Sequence, residues 1–199
     1  MPWGYRVNGY SFTPDALKER PAHAASLGRI FTSWSLIEAS VGTTLGDLMS
    51  AEPKAAIALL STFRTNNSRV QAVKKVAKAT LPASEYDPFQ LLMKRVLSYA
   101  ERRNEIAHGL WGVKEEDVAN VYRLPLTALS DFALIAVSAY KSGAIAKVVG
   151  ELEAQMRPFS LHDLEHIEND GEDLLGAVMK DRGERLAARH PQHVRRAST

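Results

Sequence analysis

The sequence contains no cysteine among its 199 residues. Disulfide bonds, zinc sites built from thiolates and cysteine nucleophiles are therefore excluded, because each of them needs a Cys side chain. The sequence also lacks a glycine-rich phosphate loop, a nucleophile elbow and a dinucleotide fingerprint. It predicts no cofactor and no metal at the functional site, so any chemistry must use other side chains.

Long hydrophobic runs are missing as well. No stretch approaches the roughly 18 uninterrupted apolar residues that a membrane-spanning helix needs. Residues 1–6 do not follow the basic and then apolar plan of a signal peptide. The sequence therefore predicts a cytoplasmic protein without a membrane partner.

An excess of charge of one sign is almost absent, since the formal net charge is +2. A charge this small does not by itself indicate nucleic-acid binding. The last stretch of the chain nevertheless has no acid and carries four arginines, which are Arg185, Arg189, Arg195 and Arg196. This stretch could attract phosphate, but Pro191 and Ser198 within it favour a solvated, flexible tail.

Apolar residues recur at three- and four-residue spacing in four long stretches, which predicts a mainly α-helical fold. The first helix is expected from Pro21 to about Met49, because proline is favourable in the first helical position. The others are expected over residues 53–81 with an interruption at 66–68, over 87–109, and over 142–159. Four such helices predict an up-and-down four-helix bundle.

The apolar period changes between the third and fourth of these helices. Residues 118–124 and 132–140 are rich in β-branched and aromatic side chains and are separated by a turn that contains proline. They predict a small β-hairpin inserted before the last long helix, although the alanine-rich stretch 130–140 could equally be a helix. Residues 1–20 are expected to form an irregular N-terminal arm, and residues 161–199 a charged C-terminal helix and flexible tail.

Arg103 interrupts the apolar stripe of the third predicted helix. It lies seven residues after Val96 and seven before Leu110, and its neighbours one helical turn away are apolar or aromatic. This spacing places its guanidinium on the buried or interfacial side of the helix. A charged group in that position needs a carboxylate partner, a phosphate ligand or a water-filled cleft.

Asn104 and His108 are four residues apart and therefore share one helix face, with Arg103 beside it. The three side chains can line one wall of a groove. They would bring an imidazole and a fixed guanidinium into one short segment.

The segment Arg103-Asn104-Glu105-Ile106-Ala107-His108 resembles the signature of HEPN domains, in which Arg is followed four to six residues later by His and directly by a polar residue. The wider phrase Arg-Asn-x-Ile-Ala-His-Gly-x-Trp at the end of the third long helix is similar to many members of that family, and so is the four-helix layout. The resemblance covers the motif and a HEPN-like helical bundle at residues 21–160. It does not cover the arm, the hairpin or the tail.

The resemblance implies a homodimer in which two copies of the motif face each other and form one metal-independent endoribonuclease site. Such a protein would act on RNA as a toxin with a cognate antitoxin or as a component of antiviral defence. His108 would transfer protons, Arg103 would bind phosphate and stabilise its charge, and Asn104 would orient the phosphate or His108. The alternative is a non-catalytic HEPN-like interaction module that binds a nucleotide, a phosphate or a protein partner.

Structural roles are the competing interpretation for several of these residues. Arg103 could pair with Glu38, which falls on the apolar stripe of the first helix. Trp34 belongs to the same stripe and Trp111 follows the end of the third helix, so both are expected in the core or at a dimer contact rather than as base-stacking platforms.

A small basic patch on the second helical stretch consists of Lys74, Lys75 and Lys78. It could guide RNA toward the groove as a substrate-binding surface. A solvated helix face explains the same pattern.

His162, Glu165 and His166 match the spacing of an inverted zinc-protease motif. The segment has no strong apolar face to anchor such a site, and the residues that follow offer poor third ligands. A solvated, charged helix is the simpler interpretation, and His190 and His193 are expected to be tail residues.

Overall fold

The computed structural model describes residues 5–189, except for the side chains of residues 5, 136–138, 142 and 189. Over this range the chain forms seven α-helices, one 3-10 helix and a five-stranded antiparallel sheet. The helices are α1 (Pro21–Met49), α2 (Pro53–Ser61), α3 (Asn66–Thr80), α4 (Ala83–Ala107), α5 (Leu126–Ser142), α6 (Ile145–Glu153) and α7 (Leu161–Arg189), and the 3-10 helix is Ala16–Glu19. The strands are β1 (Tyr5–Val7), β2 (Tyr10–Phe12), β3 (Gly109–Lys114), β4 (Asp117–Pro125) and β5 (Arg157–Ser160).

The chain contains two compact units. The first comprises the chain up to Arg29 together with Arg103–Glu168, and the second comprises Ile30–Arg102 together with the chain from Asn169. The whole sheet belongs to the first unit, whereas α1, α4 and α7 contribute residues to both.

The sheet of the first unit follows the order of the chain, β1-β2-β3-β4-β5, and every neighbouring pair is antiparallel. Strand β2 approaches β3 closely at Gly112, where a Cβ atom would lie 2.6 Å from the carbonyl oxygen of Ser11. Only glycine fits at this position, because the obstructing atom is part of the neighbouring backbone.

The core of the first unit joins the sheet to α5 and α6. One buried cluster consists of Phe12 from β2, Leu124 from β4, Ala128 from α5, and Leu152 and Met156 at the end of α6. Strand β2 is therefore part of this core.

The second unit has a helical core. Its fully buried side chains include Ile30, Ile37 and Leu45 of α1, Val73 of α3, Phe89, Met93 and Val96 of α4, and Val178 of α7. Each side chain of this kind stabilises the fold by roughly 1.5–3 kcal/mol relative to an exposed position.

The prediction of an up-and-down four-helix bundle is wrong, although the mainly helical class is confirmed. The prediction for α1 is confirmed from Pro21 to Met49. The second predicted stretch is two helices, and α3 starts after Thr65, whose hydroxyl accepts a hydrogen bond from the Ser68 N–H at 3.1 Å. The fourth stretch ends as α6 at Glu153, because the following residues leave the helix and form β5 against β4.

The prediction of a hairpin before the last long helix is confirmed for one of its two strands. Residues 118–124 lie in β4, but β4 pairs with β3 on its N-terminal side. Residues 132–140 belong to α5, which ends at Gly143 with a φ of 75°. A left-handed glycine after the last turn is a usual helix terminator.

Residues 5–19 are not the irregular arm that was expected. Strands β1 and β2 form a hairpin whose turn residues, Asn8 and Gly9, have φ values of 44° and 79°. An Asn-Gly pair with positive φ is the preferred two-residue hairpin turn, because its twist matches that of the strands.

Among the described residues, no helix is both long enough and apolar enough to span a membrane.

A buried carboxylate lies within the first unit at Glu168. It accepts a hydrogen bond from the Ser26 hydroxyl at 2.9 Å and pairs with the Arg29 guanidinium. The Arg29 hydrogen bond, more than that of Ser26, holds the pKa of Glu168 below its ordinary value of 4.5, although burial opposes this effect.

We expect Glu168→Gln to lower the free energy of unfolding at pH 7 by about 2 kcal/mol, because a charged acceptor is lost. A carboxylate with a lowered pKa stabilises the fold above its unfolded pKa and loses this contribution as the pH falls through its folded pKa. The difference between wild type and variant, measured by urea unfolding, should be constant near neutral pH and shrink below about pH 4.5. Glu165→Gln, on the exposed side of the same helix, is the control; a difference that grew in acid would contradict the assignment.

Candidate functional site

The segment 103–108 lies where α4 gives way to β3. Helix α4 ends at Ala107, and the backbone N–H of His108 donates to the carbonyl oxygen of Asn104 at 3.0 Å. Gly109 then opens β3. The motif therefore occupies the last turn of a long helix, with His108 just beyond it.

Arg103 and Asn104 are joined to each other. The Nη1 group of Arg103 donates to Oδ1 of Asn104 at 3.3 Å, and both residues are half-buried. This hydrogen bond fixes the amide with its oxygen toward the guanidinium, so the amide N–H groups of Asn104 are available to another acceptor. The pair can present N–H donors from both side chains to one anion.

The side chain of His108 is exposed, and within residues 5–189 its imidazole makes no hydrogen bond or ion pair. Its backbone is held at both ends, by Asn104 as described and by Arg123, whose Nη2 donates to the carbonyl oxygen of His108 at 3.2 Å. A free ring on a fixed backbone can reach a substrate without first breaking an internal contact.

Arg123 of β4 is the residue that fixes this helix end. The whole residue is only 8% exposed, and its Nη1 lies 3.6 Å from Oε1 of Glu105. Burial lowers the pKa of Arg123, and the negative charge of Glu105 partly opposes this shift. Gly109 makes room for the arginine, since a Cβ atom there would lie 2.8 Å from Cγ of Arg123 and 3.0 Å from the Leu124 carbonyl oxygen.

Glu105 links Arg123 to a second arginine from β5. Nη1 of Arg157 lies 2.6 Å from Oε1 of Glu105, and its guanidinium lies 4.8 Å from the centre of the Phe159 ring. One carboxylate of the motif therefore connects α4 to two strands. The roles of Glu105, Arg123 and Arg157 were not predicted, because their partners are distant in sequence.

Trp111 also holds the end of α4. Its indole Nε1 donates to the carbonyl oxygen of Ile106 at 3.1 Å, and its ring centre lies 5.2 Å from that of Phe159. A tryptophan with its N–H bonded and its ring packed in this way has a structural role.

The other predicted structural residues lie in the second unit. Trp34 is buried, with its ring centre 6.3 Å from that of Tyr99. Glu38, which was considered as a partner for Arg103, pairs through Oε1 with Nη1 of Arg69 at 2.7 Å.

The predicted RNA-guiding lysines, Lys74, Lys75 and Lys78, lie on α3 of the second unit. Lys75 and Lys78 are exposed and Lys74 is half-buried.

The histidines of the inverted zinc motif, His162 and His166, are both exposed on α7. Over residues 5–189, no three His, Asp or Glu side chains are grouped so that they could hold a metal ion. His190 and His193 lie outside the described residues.

Among the four arginines of the predicted tail, Arg185 belongs to α7 and to the core of the second unit. It pairs with Asp181, and its guanidinium lies 4.8 Å from the centre of the Phe89 ring. The interpretation of Arg185 as a flexible tail residue was therefore wrong, because α7 continues further than its charged sequence indicated. The side chain of Arg189 and all of Arg195 and Arg196 lie outside the described residues.

Comparison with protein-family models, with curated proteins and with solved structures gave no match to this chain. The resemblance to HEPN domains therefore rests on the motif itself and on its place at the end of a long helix.

Arg123 and Arg157 share Glu105 but differ in burial, since the Arg123 side chain is 10% exposed and that of Arg157 is 58% exposed. We expect Arg123→Gln to lower the free energy of unfolding by about 2–3 kcal/mol, because it removes a buried charged donor from the His108 carbonyl. Arg157→Gln should cost under about 1 kcal/mol, as is usual for an exposed ion pair. Urea unfolding of both variants measures the difference, and equal losses would show that Arg123 does not fix the helix end.

Proposed function

We propose that this chain is a metal-independent endoribonuclease that acts as a homodimer, with Arg103, Asn104 and His108 in its site. The observation that carries the proposal is the exposed imidazole of His108 at a fixed helix end, one turn after the Arg103–Asn104 pair. The resemblance of the motif to HEPN domains supplies the class of reaction. A protein of this kind would serve as a toxin with a cognate antitoxin or in antiviral defence.

The residues match the needs of RNA cleavage. In this reaction the ribose 2′-oxygen attacks the adjacent phosphorus, the bond from phosphorus to the 5′-oxygen breaks, and the products are a 2′,3′-cyclic phosphate and a 5′-hydroxyl. A base must take the proton of the 2′-hydroxyl, an acid must give one to the 5′-oxygen, and cations must stabilise the crowded phosphorane. His108 performs proton transfer, and Arg103 binds the phosphate through its N–H groups.

Asn104 adds a neutral donor beside that guanidinium. Its amide N–H groups point away from the oxygen that Arg103 occupies, so they can bond a second phosphate oxygen or orient the ring of His108. Because DNA lacks the 2′-hydroxyl, the same reaction discriminates against it.

The contacts of Arg123, Glu105 and Trp111 support the proposal through preorganisation. They hold the carbonyl oxygens of Ile106 and His108 at the end of α4. Reacting groups that are held in place before the substrate binds need less ordering in the transition state.

The number of proton transfers supports the homodimer that the resemblance implies. One copy of the motif provides one imidazole, and the reaction has a base and an acid to supply. A second copy of the chain, with its own His108 facing the first, would provide the other imidazole, as the resemblance implies. Lys74, Lys75 and Lys78 are the proposed guides for the RNA backbone.

A non-catalytic module that binds a phosphate or nucleotide is the second candidate. The charges at the end of α4 favour it, since two guanidinium groups, those of Arg123 and Arg157, share a single carboxylate, Glu105. This surplus of positive charge can attract a phosphate without any proton transfer.

We expect His108→Ala to reduce cleavage of single-stranded RNA by at least about 100-fold, which is the usual contribution of a general acid or base. The variant should fold like the wild type because the ring is exposed and makes no hydrogen bond or ion pair among residues 5–189. Cleavage is followed on labelled RNA with excess chelator present, which should not reduce it.

His162→Ala, at an exposed position on α7, is the matched control and should cleave normally. Cleavage that persists in His108→Ala rejects the assignment. A wild-type chain that leaves RNA intact, but gains thermal stability from inorganic phosphate or a nucleotide, supports the non-catalytic module instead.

The composite site predicts that two copies of residue 108 approach each other. Because the chain has no cysteine, His108→Cys introduces a single thiol, and a short bifunctional thiol reagent should link two chains through it. Glu116→Cys, at an exposed turn of the same unit, should link far less. Equal linkage of both variants, or none for His108→Cys in a sample that is dimeric by light scattering, would overturn the facing arrangement.

A further inference from the structure

The second unit contains a cavity of about 290 Å³. Its apolar walls come from α1, α2, α3 and α4, and they include Trp34, Val41, Ile57, Leu60, Val70 and Val96. Ala39 and Ser61 also line it and are exposed, so the cavity can be reached from solvent. Its volume lies just below the range of drug-sized ligand sites, which begins at roughly 300 Å³, so it suits a small ligand.

One ion pair lies in the wall of this cavity. Nη1 of Arg69 donates to Oε1 of Glu38 at 2.7 Å, and Nε of Arg69 donates to the Phe63 carbonyl oxygen at 3.1 Å. The two side chains keep 31% and 36% of their surface accessible. Within residues 5–189, Oε2 of Glu38 and the other N–H groups of Arg69 have no protein partner.

The pair restricts what the cavity can hold. An anion is repelled by Glu38 and a cation by Arg69. A purely apolar ligand would take both charges out of water and return no hydrogen bond, which is costly. A complementary ligand is therefore flat and apolar on its faces, uncharged along one edge, and carries on that edge an acceptor for Arg69 beside donors for Glu38.

Nucleobases have this form, and guanine fits it best. Its O6 is an acceptor, while N1–H and the N2 amino group are two adjacent donors that one carboxylate can accept together. Adenine offers an acceptor and one donor group on the corresponding edge, and the pyrimidines have less apolar area for the walls. Contact with the apolar walls does not distinguish one purine from another, so the discrimination comes from the edge.

We propose that this cavity is a nucleobase site that prefers guanine, with Glu38 and Arg69 as its edge-reading residues. The site needs neither RNA cleavage nor the motif at residues 103–108, so the two proposals can fail separately. The guanine can belong to a free nucleotide or to a strand of RNA, and both offer the same edge.

Titration calorimetry with the four ribonucleoside monophosphates tests the proposal on the full chain. GMP should bind most tightly, followed by AMP, with CMP and UMP weaker. Inosine monophosphate, which lacks the 2-amino group, should bind less tightly than GMP. A short guanine-containing oligoribonucleotide that binds much more tightly than GMP would assign the site to RNA, whereas equal affinity would assign it to the free nucleotide.

Glu38→Gln should weaken GMP binding by at least about tenfold, because the amide cannot accept both guanine donors. Glu101→Gln, at an exposed position of the same unit, should leave GMP affinity unchanged.

A second pair of variants tests whether the cavity itself holds the base. Ala39→Phe places a bulky ring at the accessible side of the cavity and should abolish GMP binding. Ser35→Phe, exposed on the same helix but outside the cavity, should leave GMP binding intact. Absence of GMP binding to the wild-type chain, or equal binding of all four nucleotides, overturns the proposal whatever the result of the cleavage assay.

Discussion

The buried guanidinium of Arg123 is the interaction on which the candidate site depends. Burying this charge is costly, and the chain offsets the cost with Glu105 on one side and the His108 carbonyl oxygen on the other. The carbonyl oxygens at a helix C-terminus carry partial negative charge, so a cation there is doubly favourable. The result is a helix end whose direction is set by a strand. His108 needs no side-chain contact of its own to be positioned, and its ring stays available.

Much of the helical structure could be predicted from the sequence, and the sheet mostly could not. The stripe that begins at Pro21 is long enough for its period to be unambiguous, and α1 matches it. Strand β5, only four residues long, follows α6 without a break in its apolar pattern, so spacing alone extended the helix through Phe159. Strand β2 pairs with β3, about 100 residues further along the chain at Tyr10 and Lys114, and no local pattern indicates such a pairing. The Asn8-Gly9 pair is a local signal of this sheet in the sequence, because it favours a two-residue hairpin turn.

The residues of the candidate site could likewise be predicted only in part. Arg103, Asn104 and His108 could be found because they are close in sequence and lie on one helix. Arg123 could not, since an arginine within an alternating strand is normally a solvent-facing residue, and only the pairing of β3 with β4 brings it under Gly109. Glu38 was correctly identified as a carboxylate in need of a cation, but Arg69 is its partner at 2.7 Å. The sequence thus indicates which charged residues lie on buried helix faces. Their ion-pair partners become visible only in the folded structure.

The two edge strands of the sheet limit how a second copy of the chain can associate with the first unit. Within residues 5–189, strand β1 has three residues, and β5 contains Pro158, which has no N–H to donate. Short edges and proline both discourage the addition of a further strand. Self-association by β-augmentation is therefore disfavoured, and a symmetric pair must be built from side-chain packing, which ties its affinity to the shape and charge of the helix surfaces.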